Sequence, residues 1–400
     1  MGGPADHDTK RETGKREYSS RRGSTQLLLC GSLALLVLSQ TPVVSAHGAT
    51  ATGGLSQSHG LLVALVGVAT VCLGIVLKRT DRLTPTSALS VVFLGLAVTV
   101  LGTILFEGLS PDLTYSANSM PFSRSLYPVI GLSTGMVIAI GSFVIGWLRW
   151  PDRPQYTFLG ILLGLWISYP YLLPEPASYT HPLGYVIVLA TPLLVGYILW
   201  TDAGHILRAV WRDPVARRFG VGVGLLLGGF FLSVTGYLSF FPDENVPHQT
   251  NVEVLPTVYQ LVKWPTLEIL MPHVPFFLAL SPGQLIIVGL LSALISVNAM
   301  LIARQWHLEE RAGMTEGTAG SAAIVGTCTC GCCGPIVAKI AVLVAGPSLA
   351  APLYWVFVDT ASPLSALFLV GSVVLFTGTL LYSVNTQRQG NWSPTPAPSD

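Results

Sequence analysis

The sequence has little charge. Lys, Arg, Asp and Glu make up 10% of its 400 residues, against roughly 25% in an ordinary soluble domain. A soluble chain of this length needs a polar skin, and too few charged residues are present to build one. A soluble globular enzyme is therefore excluded. The formal net charge is only +1, so no basic excess exists to pair with phosphates, and nucleic acid is excluded as a partner. Disorder requires low hydrophobicity, whereas 51% of these residues are hydrophobic and mean hydropathy is +0.61. The remaining class is a polytopic membrane protein whose principal partner is the lipid bilayer.

The amino terminus reads as an export signal. Residues 1–25 are polar and carry Lys10, Arg11, Lys15, Arg16, Arg21 and Arg22, followed by the apolar run Leu27 to Leu38 and the small-residue sequence Val44-Ser45-Ala46. A positive region, an apolar core and a small-x-small site predict a signal peptide over residues 1–46. Cleavage would remove Cys30 and leave His47 as the first residue. An uncleaved first helix is the alternative, and both readings put residue 47 outside the cytoplasm.

Nine later stretches approach the ~20 residues needed to cross a bilayer: 59–78, 87–106, 127–148, 156–173, 183–200, 219–241, 282–303, 321–346 and 363–384. They predict an all-α membrane helix bundle over 47–384, with a disordered cytoplasmic tail at 385–400. Basic residues set the orientation. Lys78, Arg79, Arg82, Arg149, Arg153, Arg208, Arg212, Arg217, Arg218, Arg304, Arg311 and Arg388 fall on one side, against Arg124 and Lys263 on the other. The positive-inside rule then gives a multi-pass cell-membrane protein with its mature amino terminus outside and its carboxy terminus cytoplasmic. Asn391-Trp392-Ser393 is a formal glycosylation sequon, but this topology places it in the cytoplasm. The external segment 242–281 has almost enough apolar length for a span. Pro256, Pro265, Pro272 and Pro275, with Lys263, Glu268 and His273, argue against one. It reads as broken helix on the outer surface or as a re-entrant.

A second scarcity concerns the spans themselves. Lys339 is the one clear charge within them, and no carboxylate stands at a midplane position, which argues against a proton- or sodium-coupled pump. Against that interior, Cys328-Thr329-Cys330-Gly331-Cys332-Cys333-Gly334-Pro335 places four of the six cysteines in six positions. On a helix, Cys328 and Cys332 share a face, as do Cys330 and Cys333. Gly331 and Gly334-Pro335 loosen the backbone and let the sulfurs converge. Thiolates are soft ligands, suited to copper(I), zinc, mercury(II) or an iron–sulfur cluster. Cys72 falls at a similar depth, about 10 Å from the inner end of its span, and either joins them or is a small buried apolar residue.

The outer side adds five histidines, His47, His59, His181, His248 and His273, of which His181 reads as a solvated loop residue. Glu107, Asp112, Glu175, Asp243, Glu244, Glu253, Glu268 and Asp359 make the same side acidic. An amino-terminal His47 would chelate through both its amine and its imidazole, an arrangement suited to copper(II).

Cys332-Cys333-Gly334-Pro335 followed by an apolar run resembles the vicinal-cysteine helix of mercuric-ion transport membrane proteins. The resemblance covers about twenty residues and implies that Cys332 and Cys333 are the primary ligands of a soft ion crossing the bilayer. This chain adds Cys328 and Cys330 and places the pair in a late span. Three readings remain open. The first is soft-metal handling, with copper or a similar ion collected outside and a metal chaperone as a possible partner. The second is a thiol–disulfide conduit using Cys330, Cys333 and Cys72. The third is a membrane subunit of a larger complex with no chemistry of its own. An enzymatic role is not favoured.

Overall fold

A computed structural model describes residues 57–110, 124–173, 176–239, 250–271, 276–312, 340 and 362–390. The protein is mostly helical. Among the described residues, seven helices are long and apolar enough to cross a membrane. The expected signal peptide, most of the 321–346 span and the end of the tail lie outside the described residues.

The chain divides into two compact units after Thr103. The first contains α1 (Gln57–Arg79) and most of α2 (Pro85–Gly108). Thr84 caps α2, accepting from Ser87 N at 3.3 Å, and Asp81 takes φ 54° in the intervening turn. Their backbones nearly touch: a Cβ on Gly102 would come within 2.6 Å of Ala64 Cα. Without a hydrophobic driving force between helices in lipid, close packing of small residues of this kind holds such a pair together.

The second unit contains α3 (Tyr127–Arg149), α4 (Pro154–Ser168), α5 (Pro182–Arg212), α6 (Pro214–Val234), α7 (Pro282–Ala312) and α8 (Pro363–Gly390). Proline occupies the first or second position of every one. There its missing N–H costs nothing and its fixed φ suits a helix start. α4 has only 15 residues, about 22 Å at the helical rise, and a 3-10 turn at Tyr169–Tyr171 extends it. The stretch expected as a full span at 156–173 is therefore a shorter helix than its apolar length implied. α3 and α4 form an antiparallel pair in which a Cβ on Gly164 would lie 2.6 Å from Gly135 O. α6 and α7 pack in the same way, with Gly220 against Ser296 O and Met300 and Gly224 against Ser296 and Ser292 O.

α7 and α8 run parallel. Ile287 and Leu290 line one crevice with Leu369, Val370 and Val373. Further along both helices, Asn298 Nδ2 donates to Phe376 O at 3.2 Å, and Thr379 Oγ1 donates to Asn298 Oδ1 at 3.4 Å.

The segment expected to be external, 242–281, is not broken helix where it is described. It supplies three strands of a four-stranded antiparallel sheet in the order β1 (Leu238–Ser239, just before the segment), β4 (Phe276–Leu280), β3 (Val262–Met271), β2 (Asn251–Tyr259). The helical expectation failed because its prolines were read as helix breaks. Pro256 pairs directly with Pro265 across β2 and β3. Two prolines can face each other only at a non-hydrogen-bonded site, where neither nitrogen addresses the partner strand. Gln260 closes the hairpin with φ 58°.

The sheet stands at the end of the unit where α3, α5, α7 and α8 begin. Val262, Trp264, Thr266 and Ala279 share its inner face and are buried. Tyr185 OH donates to Lys263 O, the Tyr185 and Trp264 rings meet edge-on at 5.1 Å, and Trp264 lies against Gly283. The outer face carries the rows Val252–Ile269–Leu278 and Val254–Leu267–Leu280.

Candidate functional site

Of the residues singled out from the sequence, Cys328, Cys330, Cys332, Cys333, Lys339, His47 and His273 lie outside the described residues. Cys72 and His59 are described, both on α1. Cys72 is half-buried and His59 is exposed. Thirteen positions separate them, about 20 Å along the helix, so the structure does not bring them together. Among the described residues, no group of three or more His, Cys, Asp or Glu side chains is placed to hold a metal ion.

The described polar groups gather in three places. At the end of the second unit away from the sheet, Tyr156 OH donates to Asp202 Oδ2 and the Arg153 guanidinium lies 3.4 Å from Asp202 Oδ1. This ties the start of α4 to α5. The Arg208 guanidinium sits 4.9 Å over the Trp200 ring, a cation–π contact on the same stretch of α5. Nearby, Asp213 caps α6, accepting from Val215 N at 3.0 Å and Ala216 N at 3.4 Å. Its other oxygen lies 3.1 Å from His307 Nδ1 on α7.

Burial opposes ionisation of Asp213, but the hydrogen bonds from His307, Val215 and Ala216 outweigh it and hold its pKa below the ordinary carboxylate value. A depressed pKa stabilises the fold above the unfolded-state value and loses that contribution as pH falls through the folded one. The cap is therefore expected to be intact at neutral pH and to fail only below about pH 4. Asp213→Ala is expected to cost about 1 kcal/mol. Thermal unfolding at pH 7 and pH 3 checks both statements: the difference between wild type and variant shrinks at the lower pH.

At the sheet end, Glu253 and Glu268 stand directly opposite each other on β2 and β3, and Asn251 Nδ2 donates to Glu253 Oε1 at 2.8 Å. The third place is the interior. Asn298 is buried on α7 and bonds across to α8. Gln284 is fully buried, with neither side-chain polar atom hydrogen-bonded, and Trp166 Nε1, Ser292 Oγ and Thr377 Oγ1 are likewise buried without a partner. Reading the sequence for ionisable residues missed this set. The signal was present as Gln284 and Asn298 within an otherwise apolar run, two amides fourteen positions apart and so on one helical face.

The crevice between α4, α5, α7 and α8, lined by Leu163, Trp166, Thr191, Ile287 and Val373 among others, measures only about 10 Å³. That is room for about one water. This crevice is too small to pass an ion.

The chain matches no family model, no curated protein and no solved structure.

Proposed function

We propose that this chain is a multi-pass cell-membrane protein that binds or transports a soft metal ion, copper or a similar one, through Cys328, Cys330, Cys332 and Cys333. The observation that carries the reading is the parallel course of α7 and α8. α7 ends at Ala312, away from the sheet, and α8 begins at Pro363, beside it. The intervening sequence, which connects these two ends, carries the four thiols. We read them as part of the span expected at 321–346, in an interior poor in charge. In that setting an unpaired thiolate is costly and a bound cation compensates it.

The distribution of basic residues supports the orientation. Arg149, Arg153, Arg208, Arg212, Arg217, Arg218 and Arg304 all belong to the end away from the sheet, while Lys263 belongs to the sheet itself. The positive-inside rule makes the sheet end external. The acidic pair Glu253 and Glu268 on that side fits a surface that attracts cations before they reach the thiols, and His47, His59 and His273 are the imidazoles assigned to the same side. A metal chaperone or the subunits of a membrane complex are the partners this role calls for.

A second reading rests on the Cys330-x-x-Cys333 spacing. In it the two thiols give up two electrons and two protons to a partner disulfide and close a disulfide of their own. One assay separates the readings. Purified full-length protein is analysed for bound copper, zinc and iron, and for free thiols with and without reductant. Stoichiometric metal with unpaired thiols supports metal handling, whereas metal-free protein with a reducible pair overturns it in favour of the conduit.

A further inference from the structure

One face of α5 is apolar and open along its length. Val186, Leu189, Leu193, Tyr197 and Trp200 follow each other at spacings of three or four, which puts them on a single helical stripe. All five are exposed, Leu193 at 73% and Trp200 at 65%, while Ile187, Val188, Val195 and Ile198 on the same helix are buried. α5 is among the helices long and apolar enough to cross a membrane, and the stripe is the side it offers to acyl chains.

The stripe ends where the hydrocarbon ends. From Leu183 to Trp200 the helix rises about 26 Å, close to the ~30 Å thickness of a bilayer's apolar core. Residues 201–212 carry α5 further, by about 18 Å. Arg208 belongs to that extension, yet its guanidinium reaches back to within 4.9 Å of the Trp200 ring centre. Helical side chains lean toward the amino terminus, which here means toward the bilayer. The contact holds the charge at the edge of the apolar core, in the layer about 5–7 Å deep that headgroups occupy.

That charge has no protein partner. The two nearby acids are engaged elsewhere: Asp202 with Tyr156 and Arg153, and Asp213 with the first amides of α6 and with His307. Arg212 stands one turn beyond Arg208, and both are exposed. Among the described residues neither takes part in an ion pair. A guanidinium resting on a ring keeps N–H donors for phosphate oxygens, which it meets bidentately.

We propose that Arg208, seated over Trp200, and Arg212 bind the phosphate of an anionic phospholipid whose acyl chain lies along the stripe. Two unpaired guanidiniums select an anionic headgroup over a zwitterionic one, because a choline ammonium would bring a third cation to the same place. The inference needs α5 to span the bilayer. It depends neither on which end faces the cytoplasm nor on metal at the cysteines, so its failure and that of the metal reading are distinguishable.

The test titrates the purified full chain, in neutral detergent, with phosphatidylglycerol or phosphatidylcholine and counts bound lipid by native mass spectrometry. The wild type is expected to retain phosphatidylglycerol in preference to phosphatidylcholine. Arg208→Gln is expected to weaken phosphatidylglycerol binding about fivefold, the worth of one arginine beside anionic lipid, and to leave phosphatidylcholine unchanged. Trp200→Leu keeps the apolar stripe but removes the ring under the guanidinium, and a loss of the same lipid is expected there too. Arg149→Gln removes an exposed arginine from the last turn of α3 and is expected to leave the site intact. Equal losses at Arg149 and Arg208, or none at Arg208, overturn the proposal. Displacement of the lipid by millimolar inorganic phosphate also overturns it and makes the site one for free phosphate. Every substitution changes an exposed side chain, so an unchanged thermal midpoint is expected to accompany each loss of binding.

Discussion

Changing Cys332 and Cys333 together to serine is expected to strip the purified protein of its soft metal. Hydroxyls are hard, weakly acidic ligands, and a site that depends on thiolate softness loses its main selectivity when two adjacent sulfurs go. Removing outer-shell partners alone typically costs 10–100-fold in metal affinity. Loss of two primary ligands is therefore expected to exceed about 100-fold. Competitive titration of copper(I) against a chromogenic chelator measures it, and an unchanged affinity overturns the metal reading. Cys328→Ser and Cys330→Ser, made singly, establish whether the additional sulfurs take part. A smaller loss at either would make that sulfur an accessory ligand. A Cys72→Ser variant that leaves affinity unchanged would return Cys72 to its packing role on α1, where it is half-buried.

The second large effect is structural. Gly164→Leu is expected to split the α3–α4 pair. A Cβ on Gly164 would already lie 2.6 Å from Gly135 O and 2.9 Å from Ala139 N. Both are backbone atoms or fixed by the backbone, so relief requires the helices to separate. Overpacking of this kind costs about 3 kcal/mol or more where nothing can yield. In a protein of this size that corresponds to a drop of several degrees, about 5–10 °C, in thermal midpoint. Gly141→Leu provides the comparison. It lies on the same α3, and a Cβ there meets nothing within 4 Å, so little change is expected. Thermal unfolding in detergent, followed by retention of monodisperse protein, distinguishes the two; equal midpoints would mean that the helices are held by something other than this contact.

The helices were legible because the physics that places them is one-dimensional. A span needs a long apolar run, and seven of the nine expected runs correspond to helices of sufficient length. Proline marked the helix starts as clearly as it marked the interruptions. α4 was overestimated because apolar length does not say where backbone geometry changes: the run continues through Tyr169–Tyr171, but the helix gives way there to a 3-10 turn. The sheet was not legible as a sheet. Alternation in β2 is hidden because Leu255 on the inner face is as apolar as Val254 on the outer one. What makes Pro256 compatible with a strand is its partner Pro265, nine residues away, and a pairing of that kind is not a local property of either segment.

Of the candidate site, the sequence displays plainly only its most unusual component, the cysteine cluster, which lies outside the described residues. Four cysteines in six positions stand out against any background, whereas Asn298 in a long apolar helix does not. Its role depends on Phe376 and Thr379 arriving beside it from a helix that begins 65 positions later in the chain. The acidic pair at the sheet end was visible as two separate glutamates. Their opposition across β2 and β3 follows from a register that only the fold supplies.

The parallel pairing of α7 and α8 also orders the events of biosynthesis. Antiparallel neighbours such as α3 and α4 can zip together as soon as both have emerged, because only a short turn separates them. α7 has no such option with α8. The Asn298 hydrogen bonds to α8 cannot form until that helix, which begins 65 positions after Asn298, has been made, a non-local closure of the kind that slows folding. Until then the Asn298 amide has only its bond to Leu294 O within α7, and incompletely packed molecules of that kind are what quality-control proteases remove. The Asn298–Phe376 contact thus reports on completion: it exists only in molecules whose α8 has been made and has reached α7.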